Sequence, residues 1–275
     1  MDHRRHPGTA VMTDADVART AALAGAAIAR DLFGATHTHF DKGAGDFATE
    51  ADVAAERAII DTIRAARPDD AITGEESGHT GPAASDRTWL VDPLCGTLNY
   101  AAGTRLVAVN VALRTGTDIA VAAVADPFTD EVFWTDGTTA TMSRNDTKEP
   151  LKPSAHPPLV DLNLDPPFPN APAFRATTLL TDPGFKERFR PRVTSTTLAL
   201  AWVAAGRRAA YVTDGHVHDS VHFAAGIALC RAAGCVVTGL DGNPPETGTG
   251  GLIAAADQDT HAALLALAGV RRDQR

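Results

Sequence analysis

The chain has 275 residues, of which 44% are hydrophobic and 21% charged, and its formal net charge is -9. This composition is typical of a globular protein with a well-buried core, arranged as one large domain or two small ones. A negative net charge without a basic run argues against nucleic acid or an anionic membrane as a partner. The sequence shows no apolar run of membrane-spanning length and no signal-peptide pattern, and its three cysteines make no paired framework, so we expect a cytoplasmic location.

The first half of the chain is predicted to contain two capped helices followed by antiparallel strands. Thr13 can cap a helix whose apolar residues recur at helical spacing as far as Leu32. A second helix begins at Thr49 and Asp52, which resemble a capping box with a shorter acid, and Pro68 stops it. Strands joined by tight turns are predicted at 106–113, 119–125 and 131–135.

A proline-rich connection is predicted to separate two halves of the chain. Eight prolines lie within 150–172, a density that we interpret as excluding regular structure. The halves are then 13–149 and 173–275, and residues 1–12 are expected to be disordered. In the second half strand and helix signals alternate, with strands at 176–180, 209–212, 236–238 and 252–255 and helices at 197–205, 223–233 and 260–268.

The most informative stretch is 89–100, which reads Trp-Leu-Val-Asp-Pro-Leu-Cys-Gly-Thr-Leu-Asn-Tyr. An apolar strand runs into Asp92 and a proline-fixed turn, and the amides of Gly96 and Thr97 are then free to face an anion. The stretch closely resembles the Asp-Pro-(Ile/Leu)-Asp-Gly-Thr signature of the inositol monophosphatase family, the magnesium-dependent, lithium-sensitive sugar phosphatases. Cys95 stands where the family has its second aspartate.

Three further blocks occur in the order of the family. The first is Asp46-Phe-Ala-Thr49-Glu-Ala-Asp52 with Glu56 beyond it, and the second is Gly74-Glu75-Glu76-Ser77. Taken alone, these two would be an ordinary capped helix start and a solvated turn. The third is C-terminal and consists of 201–207, 224–226 and 232–242.

The resemblance implies an α/β fold of the sugar-phosphatase type. Its layers of helix and sheet alternate as αβαβα, with an antiparallel N-terminal sheet and a mixed C-terminal sheet. The implied activity is hydrolysis of a phosphomonoester of a small polyol or sugar, and a homodimer is implied as well.

The resemblance also assigns roles to residues around the turn. Glu75, Asp92 and the backbone carbonyl of Leu94 would hold a first Mg²⁺ ion. Thr97, with Asp46 or Glu75, would orient the attacking water.

The amides of Gly96 and Thr97 would bind the phosphate of the substrate. Asp214 and Asp219 are candidates for contacts with substrate hydroxyls. Lys42 either neutralises the site or is a surface lysine.

The second metal position departs from the family pattern. In the family a Trp-Asp pair precedes Ala-Ala-Gly and its aspartate ligates metal, whereas here His222 occupies that place and Asp219 would serve only in a rebuilt loop. With Cys95 this removes two of three hard ligands, so we expect one Mg²⁺ ion rather than two. Three interpretations follow: a phosphatase weakened at its second ion, a zinc site made by Asp92, Cys95 and His222, or a non-hydrolytic member that retains a phosphate-binding cleft.

Overall fold

The computed structural model describes residues 12–35, 39–43, 46–145, 147–164, 176–214, 217, 220–246 and 250–268, without the side chains of His39 and Asp46. The segment expected to be disordered, 1–12, lies outside the described residues except for Met12. The helices are α1 (Asp14–Asp31), α2 (Glu50–Ala66), α3 (Thr97–Ala101), a 3-10 helix (Ala176–Leu180), α4 (Pro183–Arg188), α5 (Leu198–Ala204), α6 (Ala224–Ala233) and α7 (Gln258–Leu267). Within the described part of the chain, none of these helices is long and apolar enough to cross a membrane.

The strands form a short hairpin and two larger sheets. The hairpin pairs β1 (His39–Gly43) with β2 (Asp46–Thr49). The remaining strands are β3 (Ala71–Gly74), β4 (Gly78–Thr80), β5 (Arg87–Cys95), β6 (Ala108–Thr115), β7 (Asp118–Asp126), β8 (Glu131–Thr135), β9 (Ala140–Arg144), β10 (Thr147–Pro150), β11 (Leu159–Asn163), β12 (Arg190–Val193), β13 (Ala210–Thr213), β14 (Val236–Thr238) and β15 (Leu252–Ala255).

The large sheet has eight strands in the order β10-β9-β8-β7-β6-β5-β3-β4. Neighbouring strands are antiparallel throughout, except that β3 and β5 run parallel. The small sheet has five strands in the order β12-β11-β13-β15-β14, with β11 parallel to both neighbours and the other pairs antiparallel. The second half is mixed, as predicted. The first half is antiparallel, as predicted, except for the parallel pair of β3 and β5.

Helices cover both faces of both sheets. α1 and α2 pack on one face of the large sheet, and α5 and α6 lie between the other face and the small sheet. α7, with residues of α4 and the 3-10 helix, covers the outer face of the small sheet. Because strand side chains alternate between faces, Val91 packs toward α1 and α2 while its neighbour Leu90 packs toward α5 and α6. The αβαβα arrangement expected from the resemblance is confirmed.

The interpretation of 150–172 as free of regular structure is wrong, because β11 lies within it. Pro157 and Pro158 precede the strand, so the amides of 159–163 remain available for pairing. β11 is a central strand of the small sheet, and its position between β12 and β13 is a tertiary property that the local proline density concealed.

The prediction of a strand at 176–180 is also wrong, because the segment is the 3-10 helix. Ala176 and Leu179 are both almost fully buried, and residues three apart lie on one side of a 3-10 turn. The amide of Ala176 donates a hydrogen bond to Oδ2 of Asp214 over 3.1 Å, which holds the start of the helix. The apolar residues therefore reach the core by helical rather than by strand geometry.

The middle helical layer depends on close approach between α5 and α6. A Cβ atom built on Gly226 of α6 would lie 2.6 Å from Cδ1 and 2.8 Å from Cβ of Leu200 of α5. Since the Cβ of Leu200 moves only with its backbone, a side chain at Gly226 would push the two helices apart between the sheets.

We expect Gly226→Ala to lower the free energy of unfolding by about 1–3 kcal/mol, because the strain of overpacking exceeds the gain in helix propensity. Urea unfolding followed by circular dichroism measures the change. Gly184→Ala in α4 is the matched control, because a Cβ there would lie 3.3 Å from its nearest neighbour. Equal stabilities of the two variants would contradict the prediction.

Candidate metal and phosphate site

Asp92 lies near the end of β5 and is fully buried. Its Oδ1 accepts a hydrogen bond from the amide of Leu94 over 3.1 Å, and its Oδ2 accepts one from Nδ2 of Asn110 over 3.3 Å. Nδ1 of His222 lies 2.8 Å from the same Oδ2. Burial opposes the charge of the carboxylate, but the nearby His222 imidazolium and these hydrogen bonds hold the pKa of Asp92 below its ordinary value.

Glu75 lies beside Asp92 because β3 and β5 run parallel and end at the same edge of the large sheet. The amide of Glu75 donates to the carbonyl of Val91 over 3.0 Å and continues the pairing of the two strands. The turn that carries Glu75 is held by the buried side chain of Glu56, whose carboxylate accepts the amides of Glu76 and Ser77, each over 2.8 Å. Two carboxylates from separate segments are thereby placed at one sheet edge.

Lys42 of β1 lies in this site. Its Nζ is 2.9 Å from Oε1 of Glu75 and 2.6 Å from Oε1 of Glu76. Burial, together with the charge of Asp92, raises the pKa of Glu75 to about 8, although His222 and Lys42 oppose the shift. Burial works against the charge of Lys42, but the attraction of Glu75 outweighs it and the pKa of Lys42 is raised. The ammonium group thus compensates part of the negative charge.

Thr97 opens α3 and faces Asp52 of α2. Its Oγ1 lies 3.0 Å from Oδ1 of Asp52 and 3.3 Å from the carbonyl oxygen of Leu94, to which it can donate. The other oxygen of Asp52 accepts the amide and hydroxyl of Thr49, over 2.8 and 2.5 Å, in the predicted capping box. Burial raises the pKa of Asp52 although the bonds from Thr49 and Thr97 oppose this. From the sequence, Asp52 is predicted only as a helix cap. Its position in the first acidic block, Asp46 to Asp52, is the one sequence feature that could have indicated a place in the site.

Gly96 allows the chain to turn from β5 into α3. Its φ of 111° is left-handed, and a Cβ atom there would lie 2.8 Å from the carbonyl oxygen of Leu106. The first amides of a helix have no acceptor within the helix, so the amide of Thr97 is available at the end of this turn.

Cys95 and His222 both lie beside Asp92, and their side chains also contact each other. Sγ of Cys95 accepts the amide of Thr197 over 3.3 Å. Burial and then the charge of Asp92 raise the pKa of the Cys95 thiol. Burial opposes the charge of His222, but Asp92 outweighs it and raises the pKa of His222. The ligand atoms of the three residues all lie within 4.8 Å of one another.

Of the remaining predicted residues, Asp214 lies at the end of β13 and accepts the amide of Ala176. Asp219 and the side chain of Asp46 lie outside the described residues. Asn110 was missed by the sequence analysis: it is fully buried, and its Nδ2 donates to Asp92 and, over 2.9 Å, to Oγ1 of Thr197. The only signal for it was a polar residue between valines in an apolar strand.

Comparison with known proteins finds the same family along nearly the whole chain. The model of the inositol monophosphatase family matches residues 11–271. The chain is 31% identical over 241 residues to an inositol-1-monophosphatase of Caulobacter vibrioides, covering 86% of this chain and 93% of that protein. It is 37% identical over 222 residues to Nus factor SuhB of Escherichia coli, covering 78% of this chain and 79% of that protein.

Solved structures show the same fold. An IMPase of Thermotoga maritima superposes with a TM-score of 0.77 at 22% identity, covering 91% of this chain and 94% of that one, and at this identity it supports the fold alone. The extragenic suppressor protein suhB of Bartonella henselae also has a TM-score of 0.77, at 27% identity, covering 93% of this chain and 97% of that one.

The family acts on phosphorylated sugars and polyols and depends on Mg²⁺. The match extends over both sheets and over the strand end, turn and helix start that hold Asp92, Gly96 and Thr97. The chain belongs to the inositol monophosphatase family.

Proposed function

We propose that this protein is a phosphomonoester hydrolase acting on a small phosphorylated polyol or sugar, with Mg²⁺ bound by Glu75, Asp92 and the carbonyl of Leu94. The observation that carries the proposal is the convergence of two carboxylates from β5 and the turn after β3 beside the start of α3. Family membership supports the reaction class, and the roles of individual residues are part of the proposal.

The donors at this position fit Mg²⁺, because the carboxylates of Glu75 and Asp92 and a backbone carbonyl are hard oxygen ligands. When bound, Mg²⁺ supplies Lewis-acid polarisation of phosphoryl oxygens and lowers the pKa of water. The second ion of the family does not fit equally well, since Cys95 and His222 offer sulfur and nitrogen. One Mg²⁺ ion is therefore part of the proposal.

Thr97 and Asp52 are suited to orient and deprotonate the attacking water. When the hydroxyl of Thr97 donates to Asp52, its lone pairs remain able to accept a hydrogen bond from water. The water oxygen forms the new bond to phosphorus, and the water proton passes through Thr97 to Asp52. The ester P–O bond breaks, and the leaving alkoxide takes a proton from solvent to become the product alcohol. The sequence analysis assigned the partner role to Asp46 or Glu75, and the 3.0 Å contact favours Asp52.

The amides of Gly96 and Thr97 are proposed to bind phosphate oxygens of the substrate. Gly96 has no side chain to crowd the turn between β5 and α3. The amide N–H groups at the start of α3 are donors suited to a negatively charged phosphate. Asp214 and Asp219 remain candidates for contacts with substrate hydroxyls.

A second candidate is a non-hydrolytic protein that retains the phosphate-binding cleft. It is favoured by the replacement of two hard metal ligands by Cys95 and His222, and by relatives that are named Nus factors. The absence of a nucleic-acid partner rests on the net charge and stays a prediction.

A homodimer in a reducing cytoplasm completes the proposal. Cys95, Cys230 and Cys235 are free thiols, which is compatible with a reducing compartment. The dimer is supported by the family resemblance.

The hydrolase proposal is tested by phosphate release from a panel of inositol, sugar and histidinol phosphates with Mg²⁺, Mn²⁺ or Zn²⁺. We expect Mg²⁺-dependent release from at least one polyol or sugar phosphate. Thr97→Val removes the hydroxyl and should lower kcat by about 10²–10⁴-fold, the usual range for a lost proton-transfer group, whereas Thr97→Ser should retain most activity.

Thr104→Val is a matched control, because the hydroxyl of Thr104 bonds only to the carbonyl of Asn99 among the contacts described for it. No release from any substrate with any of the metals would favour the non-hydrolytic candidate. Equal activity of Thr97→Val and wild type would remove Thr97 from the mechanism.

With Mg²⁺ as the only divalent ion present, Cys95→Asp restores one hard ligand and is expected to raise kcat by about tenfold or more, corresponding to about 1.4 kcal/mol of the barrier. The double variant with His222→Asp should gain more. Turnover at saturating Mg²⁺ measures both, and Cys235→Asp provides the same chemical change away from Asp92. A wild-type enzyme that already has a high kcat, and loses its activity on Cys95→Asp, would refute the proposal that the second metal position is weakened.

The raised pKa of Glu75, about 8 against an ordinary 4.5, predicts the pH dependence of the metal-free protein. Between these values the folded state holds more protons than the unfolded state, so stability falls as the pH rises from about 5 to about 8. Mg²⁺ needs the ionised carboxylate, so the increase in Tm that it causes should be larger near about pH 9 than near about pH 6.

Thermal unfolding with and without Mg²⁺ measures both effects. Glu75→Gln should remove most of the increase in Tm that Mg²⁺ causes. Glu187 is exposed, and Glu187→Gln should preserve this increase. A Glu75→Gln variant with the full increase would exclude Glu75 as a ligand.

A further inference from the structure

Three side chains with metal-binding atoms converge beside the proposed Mg²⁺ position. Asp92 and Cys95 come from the end of β5, and His222 comes from the turn before α6. Their carboxylate oxygen, sulfur and imidazole nitrogen atoms all lie within 4.8 Å of one another. Among the residues that the structure describes, this is the one group of three histidine, cysteine or acidic side chains close enough to hold an ion.

The donor set selects against Mg²⁺ and in favour of zinc. Mg²⁺ demands oxygen ligands in octahedral geometry, whereas a thiolate and an imidazole are ligands that Zn²⁺ prefers. Three protein ligands leave the fourth position of a tetrahedral ion open, as in catalytic rather than structural zinc sites.

Neighbouring groups already orient two of the ligands. The amide of Thr197 donates to Sγ of Cys95 over 3.3 Å, a contact that also stabilises a thiolate. Asn110 links Asp92 to Thr197, the residue whose amide contacts Cys95. Its Nδ2 lies 3.3 Å from Oδ2 of Asp92 and 2.9 Å from Oγ1 of Thr197. Outer hydrogen bonds of this kind set ligand orientation and commonly change metal affinity by about 10–100-fold.

The buried side-chain oxygen of Asn110 is a second observation that points to a ligand at this position. Its Oδ1 is buried and has no hydrogen-bond partner among the described residues, although its Nδ2 is fully engaged. Buried acceptors without donors are rare in folded proteins, and a metal-bound or site-bound water is an ordinary donor for such an atom.

We propose that Asp92, Cys95 and His222 form a Zn²⁺ site at the position where the family has its second hard-metal ligands. On binding, zinc–oxygen, zinc–sulfur and zinc–nitrogen bonds form, and the protons of the Cys95 thiol and of the ligating imidazole nitrogen pass to solvent. Zinc binding itself does not depend on the proposed function, but any role of the zinc ion in catalysis does. The zinc site shares Asp92 with the proposed Mg²⁺ position, so the protein would carry one Zn²⁺ and one Mg²⁺ ion.

The test is a titration of the metal-free full chain with Co²⁺ as the spectroscopic probe, followed by displacement with Zn²⁺. We expect a thiolate-to-cobalt charge-transfer band that Zn²⁺ abolishes and that a large excess of Mg²⁺ leaves in place. Cys95→Ser should remove the band, and Cys95→Ser and His222→Gln should each weaken Zn²⁺ binding by about tenfold or more. Cys235→Ser is the matched control and should retain band and affinity.

A cobalt complex without the band, or a band that survives Cys95→Ser, would overturn the zinc site. If Cys95→Ser does not fold by circular dichroism, the His222→Gln titration decides, and unchanged Zn²⁺ affinity there counts against the site. A zinc site without phosphate release under any metal would end the hydrolase proposal alone. Mg²⁺-dependent release without the band would end the zinc proposal alone.

Discussion

The charge of one fully buried carboxylate, Asp92, is the constraint on which the rest of the site depends. An ionised carboxylate out of contact with water is stable only when it is paired and hydrogen-bonded. Its partners come from its own turn, from β6 and from the segment before α6, namely Leu94, Asn110 and His222. Stabilising Asp92 therefore ties the large sheet to the helical layer that separates the two sheets.

The same requirement explains the cations around the site. His222 contacts Asp92, and Lys42 bridges Glu75 and Glu76, so two protein cations compensate acids gathered at one sheet edge. A divalent ion bound to Glu75 and Asp92 has to compete with both cations. Replacement of a family aspartate by His222 thus changes the site twice: it removes a negative ligand, and it introduces a group that pairs with Asp92 when protonated.

The layered architecture brings the site together from distant parts of the chain. Parallel pairing of β3 with β5 places Glu75 beside Asp92, and packing of α2 on the sheet places Asp52 against Thr97. Glu56, also from α2, holds the turn that carries Glu75. One helix therefore supplies both a partner for the hydroxyl of Thr97 and the support for a proposed metal ligand, which links the packing of the first layer to the chemistry.

Sequence alone determined the features that depend on neighbours a few residues apart. The capping box of Thr49 and Asp52, the glycine at position 96 and the apolar strand that leads into Asp92 follow from local spacing and conformational preference. The four blocks identified the family and its layers. Only the tertiary structure decided the partner of Thr97, the position of Lys42, the role of Asn110 and the central place of β11. Those contacts join residues tens of positions apart, and their formation depends on strand order and helix packing, which no local pattern in a single sequence encodes.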